Sequence, residues 1–336
     1  MITDAIQKLV ERQNLTAEEA RSAMHDLMSG QASEAQIAGF LTALRMKGET
    51  SAELVAFASV MREKAEPFWD ADTPAVLDTC GTGGDRSGTF NISTATALVA
   101  AGAGIRVAKH GNRSATSLCG SADVLETLGI DIQMPTERLR ESVRDIGFGF
   151  LFAQRFHTSM KHVMPARTQL KIRTVFNILG PLANPARPCF QVLGVASAEV
   201  MEIVAEALAG LKTERAFVVH STDGLDEISI SAPTQVIELG NGILRHSTIT
   251  PEDFGATRAS IETLRGGDAK TNAGIIESVL NGEKSPRRDV VLINAAAAIV
   301  AAGAAASLKD GFKAAADSID SKAALSKLLD LREFSK

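Results

Sequence analysis

Residues 78–85 read Asp-Thr-Cys-Gly-Thr-Gly-Gly-Asp, and this stretch decides the fold of the chain. The apolar run Ala75-Val76-Leu77 precedes it and is typical of a strand. Residues Asn91-Ile92-Ser93-Thr94 follow it and open an alanine-rich helical segment, 95–103. A glycine loop between a strand and a helix start directs unbonded backbone N–H groups at an anion. The spacing fits neither a dinucleotide fingerprint nor a P-loop, so we predict a phosphate site of another kind.

Composition limits the class of protein. At 336 residues the chain is long enough for two domains, and its 45% hydrophobic and 22% charged residues are ordinary for a globular protein. The formal net charge of −5 argues against nucleic acid as the main partner. We see no secretory signal at the N-terminus and expect no membrane span, because the most apolar stretch, 290–306, is short and mostly alanine.

The three cysteines, Cys80, Cys119 and Cys189, are widely spaced. They support neither a disulfide framework nor a zinc site, and they fit a reducing, cytoplasmic location. We interpret Cys80 and Cys119 as small side chains that fill space near the loops, and not as nucleophiles.

Residues 1–70 predict an all-helical domain. Thr16, Ser33 and Thr50 each begin a capping box, and Gly30 and Gly48 stand where helices would end. From residue 71 short apolar runs alternate with helical patterns, which predicts an α/β domain with a mostly parallel central sheet flanked by helices. We assign this domain to 71–157 and 189–336. A helical segment near 158–188 interrupts it, and we assign this insert to the helical domain. The insert ends in a proline-rich turn that could act as a hinge.

A second candidate site is Lys109-His110-Gly111-Asn112-Arg113-Ser114-Ala115-Thr116-Ser117, which follows the predicted strand 105–108. Cations and hydroxyls in a loop can clamp an anion, although a solvated basic loop is the commoner outcome. Position favours function, because ligands of α/β sheets bind beyond the carboxyl ends of the strands. Ser121 stands at the next helix start.

A third candidate is the pair Asp226-Glu227, beyond the predicted strand 216–219. Acidic pairs are common by chance, but this one stands at a strand end, and oxygen ligands suit Mg²⁺. Arg167 is a fourth candidate. Its fork of N–H donors would suit a carboxylate, although a lone arginine at a helix start is usually a surface residue.

Together these motifs resemble those of the anthranilate phosphoribosyltransferase family. The motifs that carry the resemblance are, in order, Asp-Thr-Cys-Gly-Thr-Gly-Gly-Asp at 78–85, Asn-Ile-Ser-Thr at 91–94, Lys-His-Gly-Asn-Arg at 109–113, Gly-Ser-Ala-Asp-Val-Leu-Glu at 120–126 and Asp-Glu at 226–227. The resemblance implies a homodimer joined through the helical domain. It also implies a step of tryptophan biosynthesis, in which the phosphoribosyl group of phosphoribosyl pyrophosphate (PRPP) passes to the amine of anthranilate.

The resemblance also implies the residues of the site. Those implied for PRPP are Gly81, Gly84, Asp85, Thr89, Asn91, Ile92, Ser93, Thr94, Lys109, His110, Gly111, Asn112, Arg113, Ser114, Ala115, Thr116, Ser117 and Ser121. Those implied for anthranilate are Gly81, Asn112 and Arg167, and those for Mg²⁺ are Ser93, Asp226 and Glu227. Lys109 would act in catalysis together with the two acids.

Two alternatives remain open at this point. A nucleoside phosphorylase of the same fold would use inorganic phosphate, and a non-catalytic relative would bind nucleic acid through a basic surface. The acidic chain with its complete motifs argues against the second. The role of His110 is open too: it is either a catalytic acid or a loop histidine bonded to the backbone, and we favour the latter.

Overall fold

The N-terminal helices begin where the capping boxes predict. In the computed structural model, which describes residues 2–70, 73–114 and 118–336, four helices come first: α1 (Ile2–Val10), α2 (Ala17–Met28), α3 (Glu34–Lys47) and α4 (Ser51–Lys64). Thr16, Ser33 and Thr50 are N-caps, and each accepts a hydrogen bond from the backbone three residues on. The glutamate or glutamine at that position bonds back to the cap, so both halves of each box are present.

Seven strands form one sheet within the described residues. They are β1 (Leu77–Gly81), β2 (Val107–Gly111), β3 (Phe148–Phe152), β4 (Phe190–Gly194), β5 (Arg215–Ser221), β6 (Thr234–Gly240) and β7 (Ile243–Ile249). Their order across the sheet is β3-β2-β1-β4-β5-β6-β7. The first five strands run parallel, and β6 and β7 form an antiparallel hairpin at one edge. The predicted α/β class with a mostly parallel sheet is therefore confirmed.

The remaining helices alternate with the strands or follow them. They are α5 (Ile92–Gly102), α6 (Ser121–Thr127), α7 (Thr136–Glu141), α8 (Ala153–Phe156), α9 (Met164–Leu170), α10 (Phe176–Leu182), α11 (Met201–Gly210), α12 (Ala269–Leu280), α13 (Pro286–Ala301), α14 (Leu308–Asp320) and α15 (Ala323–Phe334). The buried, alanine-rich α13 confirms the sequence interpretation of that stretch. No helix in the described ranges is long and apolar enough to cross a membrane.

Alternate side chains of the central strands enter two different cores. Val192 and Val219 pack in the core that includes α5 and α13, while Leu193 and Val218 pack in the core that includes the N-terminal helices and α11. The segment 163–182 contributes to the second core. The inserted segment therefore packs with the helical unit, and the division into domains at 70, 158 and 188 stays a prediction.

Two strands extend further than the sequence pattern indicates. β1 continues through Gly81 and β2 through Gly111, so half of the predicted glycine loop and the first three residues of the predicted anion loop are strand. The reason is pairing. Asp78 to Gly81 align with β4, and Lys109 to Gly111 align with β3, which supplies ladder partners that no local propensity reveals.

The predicted hinge also differs from expectation. Gly180 and Pro181 lie in the last turn of α10, so the turn itself begins after Leu182. Asn184 in that turn donates hydrogen bonds to the Asp78 carboxylate and the Ala108 carbonyl, both at 2.9 Å. This buried amide ties the end of the insert to the two strands that carry the candidate loops.

Candidate active site

The site lies where the order of the strands reverses. The chain passes from β1 outward through β2 and β3, and then returns to β4 on the other side of β1. Such a reversal leaves a crevice at the carboxyl ends of the two strands. These ends are Gly81 and Gly194, which lie opposite each other in the sheet.

Asp226 fills the point where these two strand ends meet. A Cβ at Gly81 would lie 2.5 Å from the Asp226 carboxylate, and one at Gly194 would lie 1.6 Å from the Asp226 carbonyl oxygen. Real Cβ atoms do not approach this closely, so both positions exclude a side chain. Glycine at the two strand ends is therefore what allows the acidic loop to sit on the sheet.

The glycine loop is joined to the same aspartate. The Gly83 N–H donates a 2.9 Å hydrogen bond to Oδ2 of Asp226. Gly83 and Gly84 have φ of +65° and +82°, a region that favours glycine. The glycine loop and the acidic pair therefore lie together at this edge of the sheet.

The start of α5 faces this cluster. Thr79 Oγ1 donates to the Ser93 carbonyl at 2.9 Å, and the Ser93 backbone bonds the Glu227 carboxyl. Ser93 therefore lies next to Glu227, as the implied metal site requires. Its neighbours in sequence face elsewhere, since Ile92 and Thr94 are buried in the core and can offer a ligand little beyond their backbone.

The side chain of Asn91 serves the framework. Its Nδ2 donates to the Cys119 carbonyl at 3.2 Å, and its Oδ1 accepts from Nδ2 of Asn272 at 2.9 Å. Thr89 forms an isolated antiparallel bridge with Arg265. These contacts hold the segment between the glycine loop and α5 in place.

Lys109 and His110 point to opposite faces of β2, as successive strand residues must. Lys109 is 2% exposed and its Nζ donates to the Thr79 carbonyl and, at 3.3 Å, to Ser93 Oγ. Its charge faces the α5 side of the sheet, where Glu227 lies. Burial lowers the pKa of Lys109 and raises that of Asp78, and the attraction between their charges opposes both shifts.

His110 is buried on the other face. Its Nδ1 bonds the Gly180 carbonyl at 3.2 Å, and its ring meets the His157 ring edge to face, with 5.2 Å between centroids. Burial lowers the pKa of His110 to about 3, so the ring is neutral at pH 7. The ring bonds the backbone as expected, but His110 belongs to strand β2 and not to a loop, and the ring adds no positive charge to an anion clamp.

Arg113 forms ion pairs with two acidic side chains of α6. It pairs with Asp123 at 2.8 Å and Glu126 at 2.9 Å. Asn112 accepts a hydrogen bond from Gln154 at 3.1 Å and, through its carbonyl, from Ser121 Oγ at 3.3 Å. Roles for these side chains toward PRPP stay predictions. Ala115, Thr116 and Ser117 lie outside the described residues.

Residues 111–114 nonetheless pack closely against the start of α6. A Cβ on Gly111 would lie 2.2 Å from Ser121 Oγ, and one on Gly120 would lie 2.4 Å from the Ser114 nitrogen. The Ser114 N–H donates to Asp123 at 3.2 Å. The start of α6 therefore fixes the strand that leads into the predicted clamp.

The two acids are half-buried, and the nearby cation Lys109 offsets only part of the charge of Glu227. Loss of water is the largest of the causes that raise the pKa of Asp226 to about 7 and that of Glu227 to about 8. The nearby Asp85 also raises the pKa of Asp226, and Asp226 and Asp85 both raise that of Glu227. Such carboxyls favour a proton or a metal cation. Two carboxylates suit Mg²⁺, but they do not form a complete cage of protein ligands around it.

The Asn294 side chain bonds the backbone of the acidic loop. This residue of α13 is 1% exposed, accepts from the Ile228 N–H and donates to the Ile228 carbonyl, both at 2.9 Å. The residue after Glu227 is thereby fixed at both of its backbone groups. The sequence alone does not reveal this role, although a lone polar residue in a buried apolar helix is the signal for one.

Arg167 lies on the insert. It is half-buried, its guanidinium stands 5.2 Å from the centroid of the Phe176 ring, and burial lowers its pKa. Within residues 2–70, 73–114 and 118–336 it has no acidic partner at ion-pair distance. An arginine without a counterion beside an aromatic ring can bind an aromatic carboxylate.

The comparisons with known proteins cover nearly the whole chain. Residues 3–65 match the helical bundle domain of a glycosyl transferase family, and residues 73–325 match the a/b domain of a glycosyl transferase family. The anthranilate phosphoribosyltransferase of Solibacter usitatus is 52% identical over 330 residues, with 98% of this chain and 97% of that protein aligned.

Solved structures give the same result. The anthranilate phosphoribosyltransferase of Thermus thermophilus superposes with a TM-score of 0.94 at 44% identity, covering 99% of both chains. The Saccharomyces cerevisiae enzyme in complex with PRPP and Mg superposes with a TM-score of 0.90 at 29% identity, over 99% of this chain and 97% of that one. Its complex with 4-fluoroanthranilate gives 0.89 with the same identity and coverage.

The raised carboxyl pKa values predict how stability depends on pH without metal. An acid whose folded pKa is raised binds more protons in the native state, so stability falls as the pH rises from about 4, the unfolded value, through about 7 to 8. Asp226→Asn with Glu227→Gln removes this loss. Relative to the wild type, the double variant should have a free energy of unfolding that is about 1–2 kcal/mol larger at pH 8.5 than at pH 5, after allowance for solvent screening.

Urea unfolding in EDTA at the two pH values measures this difference. Glu137→Gln with Asp145→Asn removes two exposed carboxylates, is the matched control for the lost charges and should show no such gain. If the double variant and the wild type differed in free energy of unfolding by the same amount at both pH values, the raised carboxyl pKa values would be contradicted.

Proposed function

The chain belongs to the anthranilate phosphoribosyltransferase family, and we propose that the residues at the carboxyl edge of its sheet carry out that family's reaction. PRPP and anthranilate give N-(5-phosphoribosyl)anthranilate and pyrophosphate, a step of tryptophan biosynthesis. The observation that carries the assignment of the site is the contact of Asp226 with Gly81, Gly83 and Gly194. It joins an acidic loop to an anion-binding loop at the strand reversal. The nucleoside phosphorylase alternative has no observation in its favour.

PRPP is assigned to the glycine loop and the start of α5. The backbone N–H groups of Gly84 and Asp85 donate no hydrogen bond within the described residues, and they lie beside the acidic pair. Unbonded amides at a positive-φ turn attract anions. Lys109 adds a buried positive charge that already contacts Ser93. Residues 109–117 and Ser121 would cover the phosphates.

Mg²⁺ is assigned to Ser93, Asp226 and Glu227. No cluster of three or more His, Cys, Asp and Glu side chains in the described ranges is arranged to hold a metal ion. Mg²⁺ does not need one, because it usually keeps several waters and joins one or two carboxylates to substrate phosphates. When bound, the ion would take up negative charge that develops on the departing pyrophosphate.

The protein's own task is to orient the substrates and exclude water. The ring amine of anthranilate is neutral at pH 7 and needs no strong base, and this agrees with His110, whose pKa of about 3 makes it a weak base. Lys109 and the loop amides would stabilise charge on the leaving group. Packing of the insert against the helical unit would place the amine near C1 of the ribose and shield PRPP from hydrolysis.

Anthranilate is assigned to Arg167, with Asn112 and Gly81 lining its approach. The guanidinium without a counterion and the adjacent Phe176 ring would match the carboxylate and the ring of the substrate.

We further propose that the chain acts as a homodimer joined through the helical unit. Val10 of α1 is 65% exposed and Met46 of α3 is 68% exposed, so both present apolar surface that a partner copy would cover. Met164 of α9 is also exposed on the insert.

The first prediction concerns turnover. Addition of PRPP and Mg²⁺ to the purified protein should quench anthranilate fluorescence with release of pyrophosphate. Asp226→Asn with Glu227→Gln should lower the rate by about a hundred-fold or more, because the site would lose both charged oxygen ligands. Unchanged turnover in a folded double variant would remove the metal assignment.

The second concerns anthranilate. Arg167→Ala should raise the KM for anthranilate by about tenfold, since a charge-assisted contact to its carboxylate would be lost, and should leave the KM for PRPP unchanged. Lys161→Ala removes an exposed cation from the same insert and is the control. A defect confined to PRPP would show that the substrates are assigned the wrong way round.

The third concerns assembly. Light scattering should give about twice the 35.5 kDa of one chain, and Met46→Glu should give the single-chain mass because a charge would be buried in the interface. Leu329→Glu places the same charge on exposed α15 and should leave the dimer intact. A monomeric wild type would refute the proposal.

A further inference from the structure

Arg173 reaches across from the insert to the glycine loop. Its Nη2 donates to the Gly83 carbonyl at 3.2 Å and its Nη1 to the Gly84 carbonyl at 3.3 Å. One planar fork therefore holds two successive carbonyl groups, a geometry that a lysine ammonium cannot reproduce. Gly84 also makes room for the fork, because a Cβ there would lie 2.2 Å from Nη1.

The residues that follow Arg173 anchor it to the protein core. The next residue, Thr174, is buried, and its N–H donates to Oδ1 of Asn177 at 2.9 Å. Val175 and Phe176 then enter the core shared with the helical unit. Arg173 thus connects the helical side of the molecule with the loop at the end of β1.

Holding the carbonyls also sets the direction of two amides. In a trans peptide the C=O and the following N–H point in opposite directions, and the described residues contain no cis peptide. Carbonyls of Gly83 and Gly84 that face Arg173 therefore turn the N–H groups of Gly84 and Asp85 away from it. In the described part of the chain these N–H groups have no acceptor.

The charge of Arg173 is not compensated by the protein. Within the described residues no acidic oxygen lies within 4.0 Å of its guanidinium. The side chain is exposed, so it contributes little to folding. Arg173 has no counterion among these residues, and it donates hydrogen bonds to two carbonyl groups of an anion-binding turn. This combination indicates a role in ligand binding.

We propose that Arg173 is a positioning residue, which aims the Gly84 and Asp85 amides at the pyrophosphate group of PRPP. The inference rests on the function proposed above and adds a residue to that site. Arg173 acts through the backbone of the loop, so its geometry matters as well as its charge.

The test measures PRPP binding and turnover separately. Isothermal titration of PRPP with Mg²⁺, without anthranilate, should show about tenfold weaker binding for Arg173→Ala than for the wild type, equivalent to about 1.4 kcal/mol. The KM for PRPP should rise by a similar factor, while the KM for anthranilate and the unfolding midpoint should not change. Lys161→Ala, which removes one exposed cation from the same insert, should bind PRPP like the wild type.

Arg173→Lys separates geometry from charge. It should stay within about threefold of Arg173→Ala, because the ammonium cannot span both carbonyls. Full recovery by lysine, wild-type PRPP binding in Arg173→Ala, or an equal rise in the anthranilate KM would each overturn the inference. Failure of the wild type to bind PRPP at all would instead refute the proposed function.

Discussion

The contact of Asp226 with the ends of β1 and β4 is the constraint on which the rest of the site depends. Its carboxylate accepts the Gly83 N–H and leaves no room for a side chain at Gly81, and its backbone carbonyl leaves none at Gly194. The strand order places these ends side by side, and Asn294 fixes the next part of the acidic loop from the buried α13. Sheet topology therefore brings together two motifs that are far apart in sequence.

The charges around this contact are arranged for a ligand rather than for stability. Asp226 and Glu227 lie near Asp85, and loss of water raises their pKa values to about 7 and 8. Lys109 of β2 contacts Ser93, and Arg173 of the insert contacts the glycine loop. Arg173 has no acidic partner among the described residues. A metal pyrophosphate would satisfy both the acids and the free amides, so the function proposed here accounts for groups that the folded chain alone leaves unfavourable.

The sequence predicted those features that depend on local rules. The capping boxes at Thr16, Ser33 and Thr50 and the alternation of strands and helices are local, and the structure contains them. The sequence could not show that Lys109 and His110 belong to β2 and point to opposite faces, because that depends on pairing with β3. It also could not show that α6 would pair with Arg113, or that Arg173 would cross to the glycine loop, since those contacts form only in the folded chain.

A crystal structure of this protein with PRPP and Mg²⁺ tests the central claim most directly. The account predicts pyrophosphate oxygens within hydrogen-bond distance of the Gly84 and Asp85 amides, with Mg²⁺ between the phosphates and the carboxylates of Asp226 and Glu227. PRPP bound away from the strand reversal, or Mg²⁺ with no link to either acid, would contradict it.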